Sequence, residues 1–284
     1  MGAVFVTGAT GTVGSAVVEH LLRLGQPVIA GIREPSDSGR LPSPAVTRKF
    51  SFDTDPAELD DALEGADRLF LMRPPAIADV QRTLFRVIDA ANRRGIRQIA
   101  FLSLQGVQVN RKTPHHAVEQ YLRETRSPST FLRPNFFMQN LATTYARPIR
   151  ERGEIFVPAG RSRTAFIDAR DVGRVAATTL SEPGHVGKAY TLSGEQSLTY
   201  RNVAAIMTEV LGRPIRYARP GEDLYLAQLA ADNLPEDYIA VQKMIHRVVR
   251  LNISAFPNRK VRTLSGRPAT TLHQYISDNR QVWG

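Results

Sequence analysis

Eight residues near the start of the chain carry the clearest chemistry. Thr7-Gly8-Ala9-Thr10-Gly11-Thr12-Val13-Gly14 has glycines at 8, 11 and 14, the spacing G-x-x-G-x-x-G. An apolar run, Ala3–Val6, precedes it, and Val13–Leu24 follows with Val13, Val17, Leu21 and Leu24 at helical spacing. A glycine-rich turn that ends a strand and opens a helix makes a phosphate site. The first backbone amides of the helix have no partner inside it, and the helix dipole favours an anion there. On this reading Gly8 makes the tight turn and Gly11 lets a pyrophosphate approach the backbone. Gly14 allows close packing, and Thr10, Thr12 and Val13 complete the cradle.

A second signal follows the next apolar run. An acid about 20 residues past such a loop holds a ribose 2′-hydroxyl, whereas an arginine suits a 2′-phosphate. The chain reads Ala30-Gly31-Ile32-Arg33 there, with Glu34 adjacent. Arg33 therefore points to NADP(H), with NAD(H) second. Asp53, after the third run, is placed to touch the adenine. Met72-Arg73-Pro74-Pro75 follows the fourth run. Met72, Arg73 and Pro74 are thus expected to line the cofactor crevice, the prolines stiffening the loop.

These residues can meet only if a particular set of elements holds them. Strand-like runs at Ala3–Val6, Val28–Ile32, Val46–Phe50, Arg68–Met72, Gln98–Ser103 and Thr130–Arg133 alternate with helical patterns at Val13–Leu24, Val80–Ala91 and Ala117–Glu124. Such alternation means βαβ units. The fold class expected is α/β: a Rossmann-like doubly wound parallel sheet with helices on both faces, plus a small, mostly helical C-terminal substrate lobe. We expect residues 1–150 to form the nucleotide-binding core. Residues 151–284 are expected to hold the last core elements, interleaved with the C-terminal lobe. In that half, Asp171 stands where the N-cap of a helix belongs, and Thr199 caps another. Leu224–Leu234 and Pro235–Val249 read as two helices either side of a break.

Composition excludes several classes. The 284 residues include no cysteine, which rules out a disulfide scaffold, a thiolate nucleophile and cysteine-ligated metal. No His or carboxylate cluster has ligand spacing, so no metal is expected. The net charge of +10 comes from 37 basic against 27 acidic residues, spread along the chain. That favours anionic small molecules, with nucleic acid not expected as a partner. Residues 1–7 lack a charged leader, and no apolar run reaches the roughly 20 residues of a membrane helix. A cytoplasmic protein without membrane attachment is expected.

Further along, the chain resembles the NmrA-like group of atypical short-chain dehydrogenases/reductases. The likeness rests on Val6–Gly14, on Val118-Glu119-Gln120-Tyr121-Leu122-Arg123 and on the stretch Thr130–Asn140. It continues in Phe166–Val172 and in Tyr190-Thr191-Leu192-Ser193-Gly194. It implies a sheet of order 3-2-1-4-5-6, a preference for NADP(H), and a state of monomer or homodimer. The segment leaving the sixth strand, Pro134-Asn135-Phe136, is the one the resemblance places past the nicotinamide. Relatives of this kind reduce quinones, imines or double bonds, or bind NADP(H) as sensors and partners of regulatory proteins.

Short-chain dehydrogenases commonly donate a proton from Tyr-x-x-x-Lys, with an upstream serine. None of the eight tyrosines here has lysine four residues later. Ser103 does stand where the resemblance puts the serine. Aligning back from Glu119 puts His115 at the lysine position and Arg111 at the tyrosine position. His115 and His116 are therefore the candidate acids, since imidazole can give up a proton near neutral pH. The reading that results is an NADP(H)-dependent oxidoreductase. It would reduce a small apolar carbonyl, quinone or imine compound by hydride transfer. The alternatives are a non-catalytic NADP(H)-sensing regulator with a protein partner, and a non-redox enzyme on the same fold.

Overall fold

A computed structural model describes residues 2–284. Seven parallel strands form one sheet: β1 (Ala3–Val6), β2 (Val28–Ile32), β3 (Val46–Lys49), β4 (Ala66–Met72), β5 (Gln98–Leu102), β6 (Ser129–Pro134) and β9 (Ala189–Leu192). Their order is β3-β2-β1-β4-β5-β6-β9. The first six have the order expected. All five residues of β2 and of β5 are buried, as strands covered on both faces must be. The edge strand β3 is instead polar and partly exposed, in keeping with its position.

The helices follow from local rules. In α1 (Thr12–Arg23) the buried residues Val13, Val17, Val18 and Leu21 make one stripe. Helix α2 (Pro56–Ala62) lies between β3 and β4, and Arg48 caps it, donating to the carbonyls of Ala62 at 2.8 Å and Glu64 at 2.6 Å. Helix α3 (Leu84–Arg93) begins four residues later than its apolar pattern. Asp79 takes the amides of Gln81 and Arg82 at 3.1 and 3.2 Å, which holds a turn in place of a helical start. Helix α4 (Pro114–Glu124) has Pro114 in its first turn and Thr113 as its cap, accepting from the His116 amide at 3.2 Å.

The chain divides into two compact units. The first runs to Pro134 and takes in Ala169–Leu192 and Lys260–Arg267. The second comprises Asn135–Asp168, Ser193–Arg259 and Pro268–Gly284. The boundary expected at residue 150 therefore lies at Pro134, where β6 ends and the chain leaves the sheet. The core regains two later segments: α6 (Ala169–Ser181) with β9, and α10 (Lys260–Ser265). Helix α6 packs directly on α1. A Cβ at Gly173 would stand 2.5 Å from Ala16 Cβ and 2.9 Å from the Val17 amide, so only glycine fits. Asp171 was expected as an N-cap. It lies inside the helix instead, buried and bonded to Arg174 at 2.7 Å, because the helix starts two residues earlier.

The second unit has α5 (Ala146–Arg152), α7 (Tyr200–Leu211), α8 (Glu222–Ala231), α9 (Glu236–Arg250) and α11 (Leu272–Asp278). Two short strand pairs accompany them. β7 (Glu154–Ile155) is parallel to β11 (Arg216–Tyr217), and β8 (Arg163–Thr164) is antiparallel to β10 (Leu198–Thr199). Its core includes Met138, Ile149, Phe166, Tyr200, Met207, Tyr275 and Trp283.

Candidate active site

A parallel sheet brings the ends of its strands to one edge. The loops after β1, β2, β3, β4, β5 and β6 are therefore neighbours in the order of the sheet, and a doubly wound sheet binds its ligand there. The order reverses between β1 and β4, so the Gly8–Gly14 loop faces the Met72 loop. Thr7 ties the two strands: its hydroxyl donates to the Phe70 carbonyl at 3.0 Å and accepts from the Met72 amide at 3.0 Å.

Within the loop the three glycines differ in kind. Gly8 has φ +60°, a left-handed conformation, and a Cβ there would stand 2.8 Å from Met72 Sδ. At Gly14 a Cβ would lie 2.0 Å from the Gly8 carbonyl oxygen, an impossible approach. The close contact is thus with the loop's own backbone rather than with a strand. Gly11 has an ordinary extended conformation, φ −87° and ψ 172°, and a Cβ would meet only the Gly8 carbonyl, at 3.2 Å. Gly11 is thus the glycine of the three that the protein's own packing demands least. Gly11 also caps α1 with no side-chain bond, and the first turn carries no acid. Thr12, Val13 and Gly14 thus present a helix start suited to an anion.

Arg33 directly follows β2, is exposed, and makes no ion pair or hydrogen bond among the described residues. A second arginine reaches the glycine loop. Arg40 ends a short 3-10 turn, Pro35–Arg40, and donates to the Thr10 carbonyl at 3.4 Å while pairing with Asp37 at 3.2 Å. No motif in the sequence marks Arg40; only the turn brings it back to the loop. Asp53 is exposed in the turn after β3, its amide donating to Ser51 Oγ at 3.3 Å. Arg73 folds its own loop, donating to the carbonyls of Pro74 and Pro75 at 3.1 Å and to that of Ile77. Its buried Nε has no partner, and burial lowers its pKa.

The catalytic candidates fall into different environments. Ser103 is buried, and its hydroxyl donates a hydrogen bond to Glu119 Oε1 at 2.7 Å. Glu119 also accepts Arg133 through Nε at 2.9 Å and Nη2 at 2.6 Å, and Arg123 at 2.8 Å. Burial alone would raise the Glu119 pKa, but the bonds from Arg133 and Ser103 hold it below the ordinary value. Ser103 is thus tied into a closed ionic network, and its hydroxyl acts on Glu119.

His115 is pushed down to about pKa 4, first by burial and then by the positive charge of Arg73, with Glu119 opposing. Its ring lies 6.1 Å from that of Phe101. That environment favours the neutral imidazole at pH 7, which weighs against His115 as the group that supplies a proton. His116 differs. Its Nδ1 lies 3.0 Å from the Val107 carbonyl. A carbonyl only accepts, so Nδ1 carries hydrogen and Nε2 is left as the atom that takes or gives a proton. Arg111 is exposed in the preceding turn.

The first unit thus gathers the Gly8–Gly14 loop, Arg33, Asp53, Met72, Arg73, Pro74, Ser103, His115, His116 and Pro134. Asn135 and Phe136 belong to the second. Both ends of the buried Asn135 amide are used there: Nδ2 donates to the Ser254 carbonyl at 2.9 Å, and Oδ1 accepts from the Phe136 amide at 2.7 Å. Phe136 packs against the second core. Among the described residues no three His, Asp or Glu side chains are grouped to hold a metal. No helix there is long and apolar enough to cross a membrane.

The chain matches the NmrA-like family over residues 2–276. It belongs to that family. The NAD(P)H azoreductase of Xenophilus azovorans is 30% identical over 99% of both chains. The NADPH-dependent quinone oxidoreductase of Escherichia coli, solved with NADPH, superposes with TM-score 0.87 at 26% identity, covering 98% of this chain and 99% of that one. The triphenylmethane reductase of Citrobacter sp., complexed with NADP(H), gives TM-score 0.86 at 25% identity over 97% and 99%. Each of these matches covers 97–99% of the chain.

Proposed function

We propose that this protein is an NADP(H)-dependent reductase of small quinone-like compounds. The observation that carries the reading is Gly11. Its backbone conformation is open to any residue and a Cβ would press on one atom alone, the Gly8 carbonyl oxygen at 3.2 Å, yet it caps an acid-free helix start at the switch point of the sheet. A ligand with a pyrophosphate explains that glycine. The NADPH-dependent, full-length relatives support the same reading.

In this proposal the amides of Thr12, Val13 and Gly14 hold the pyrophosphate, and Thr10 borders it. Arg33 holds the 2′-phosphate, with Arg40 adding positive charge beside the loop. Asp53 borders the adenine, while Met72, Arg73, Pro74 and Pro134 line the crevice wall. When bound, the reduced nicotinamide supplies the hydride. Ser103, Glu119 and Arg133 position the ends of β5 and β6 rather than touch the reacting atoms. His115, which burial holds toward its neutral form, stands beside Phe101. His116 Nε2 is the side-chain atom suited to hold or pass a proton.

The test is direct. The purified chain is mixed with NADPH or NADH and with 1,4-benzoquinone, and loss of reduced nicotinamide is followed. The reading requires enzyme-dependent turnover with NADPH preferred. Tight NADPH binding without turnover on quinones, azo dyes or aldehydes would instead identify a sensor.

A further inference from the structure

We propose that the second unit carries a binding site of its own for a flat, uncharged, two-ring aromatic molecule. A cavity of about 270 Å³ lies in that unit, walled by Tyr145, Phe156, Tyr225 and Tyr238 with Leu229 and Leu234. Aromatic residues are only 7% of the chain, so four rings around one space is a local concentration. The site goes beyond the reductase reading, since it uses none of the residues assigned to nucleotide binding.

Two of the rings are fixed from behind. The Tyr225 hydroxyl donates to Gln242 Oε1 at 3.1 Å, and its ring meets the His246 imidazole edge-on at 5.0 Å and 81°. The Tyr145 hydroxyl lies 3.4 Å from His246 Nε2, with the rings 6.1 Å apart. Gln242 and His246 stand one turn apart on the buried face of α9. Burying an amide and an imidazole is costly unless they do something. Here they set the planes of two tyrosines, while His246 Nδ1 has no partner at all. Phe156 stands against Tyr225 at 6.2 Å and 40°, which continues the wall.

Pre-set aromatic planes around an open space suit a rigid π system, because neither side loses much freedom on binding. An engineered cavity of about 150 Å³ takes benzene. A space of 270 Å³ therefore has room for two fused rings. The rim points to an uncharged ligand. Arg147 is paired with Glu151 at 3.2 Å and faces Asp232 at 3.9 Å, and Arg152 is paired with Glu154 at 3.3 Å. Both lining arginines already have a carboxylate partner, Glu154 being shared with Arg216, so neither stands as a dedicated anion site.

The probe is 2-naphthol, which cannot accept hydride. It is titrated calorimetrically into the full chain without nucleotide, so failure of the reductase reading leaves this test intact. Saturable one-to-one binding is expected. Leu229→Trp, which fills the cavity from a half-buried position, should abolish it. Phe156→Leu should weaken it roughly threefold to tenfold, the loss of one ring pair. NADPH binding and melting temperature of both variants serve as folding controls. If Leu229→Trp does not fold, Phe156→Leu carries the test alone. The proposal is overturned if wild type shows no saturable binding, or if the folded variants bind 2-naphthol as wild type does.

Discussion

Replacing Gly11 and Gly14 separately by alanine should split folding from nucleotide binding. At position 14 the new methyl would stand 2.0 Å from the Gly8 carbonyl oxygen, so the loop or the start of α1 must shift. Overpacking of this kind costs about 1–3 kcal/mol. At position 11 the methyl meets only one atom, at 3.2 Å, in a backbone conformation alanine adopts freely. The cost there is that of replacing an N-cap glycine, roughly 1 kcal/mol or less. Gly11→Ala should therefore melt within about 4 °C of wild type. Yet the methyl occupies the place where a pyrophosphate would approach. Losing two charge-assisted hydrogen bonds, at about 1.5–3 kcal/mol each, weakens NADPH at least about 100-fold.

Thermal melting with and without NADPH reads both effects at once. Ligand at 100 times its Kd stabilises wild type by about 2.7 kcal/mol, roughly a 5 °C rise. Gly11→Ala should start near the wild-type melting temperature and show no rise. Gly14→Ala should start lower. Equal NADPH stabilisation of Gly11→Ala and wild type would refute the assignment of the loop. Normal stability of Gly14→Ala would refute the loop geometry.

Four further outcomes follow from the same structure. Arg33→Ala should weaken NADPH by about 1–3 kcal/mol and leave NADH unchanged by titration; equal loss of both removes Arg33 from the 2′-phosphate. Ser103→Ala should cost about 1 kcal/mol in urea unfolding and retain turnover, since the hydroxyl serves Glu119; loss of kcat with unchanged stability would restore it to a direct catalytic role. His116→Gln should lower kcat more than His115→Gln does, with NADPH binding unchanged in both; the reverse order assigns the proton to His115. Burial lowers His246 from 6.5 to about 4, so the unfolded chain binds a proton first as pH falls and stability is lost below about pH 6.5. Between pH 7 and pH 5 that group contributes a loss of about 2 kcal/mol; His246→Phe should remove it in urea unfolding, and an unchanged loss would deny the burial effect.

How much of this was legible in the sequence depended on the range of the interactions. The central strands were readable because each holds an apolar run set between turn residues, unlike the polar edge strand β3, and the glycine loop because its spacing is local. The unit boundary at Pro134 was not. It arises because Ala169–Leu192 and Lys260–Arg267 return to the sheet, and the return of α6 depends on Gly173 meeting Ala16, which lies 157 positions earlier. Asp171 looked like a cap because its type suits one; the helix started earlier and left it buried against Arg174. Ser103 looked catalytic by its place after β5, but its partner Glu119 lies on α4, and no local pattern links the two. The two histidines were indistinguishable as a pair. Burial beside Arg73 sets one apart, and the Val107 carbonyl sets the other.

The missing tyrosine and lysine bear on what the site can reduce. Hydride addition to a simple ketone leaves an alkoxide about as basic as hydroxide, and it needs an acid at hand in the transition state. Hydride addition to a quinone leaves a phenolate, whose conjugate acid has a pKa near 10, as for tyrosine. That anion is stable enough to take its proton from water after the slow step. In this chain Ser103 is bound to Glu119, His115 is neutral, and the charges of Arg123 and Arg133 are already directed at Glu119. A site with so little acid to offer is suited to acceptors that stabilise their own negative charge. Benzoquinone should therefore turn over far faster than cyclohexanone, and the ratio should persist in His116→Gln. Comparable rates on the two compounds would mean that a strong acid reaches the substrate from a group not yet assigned.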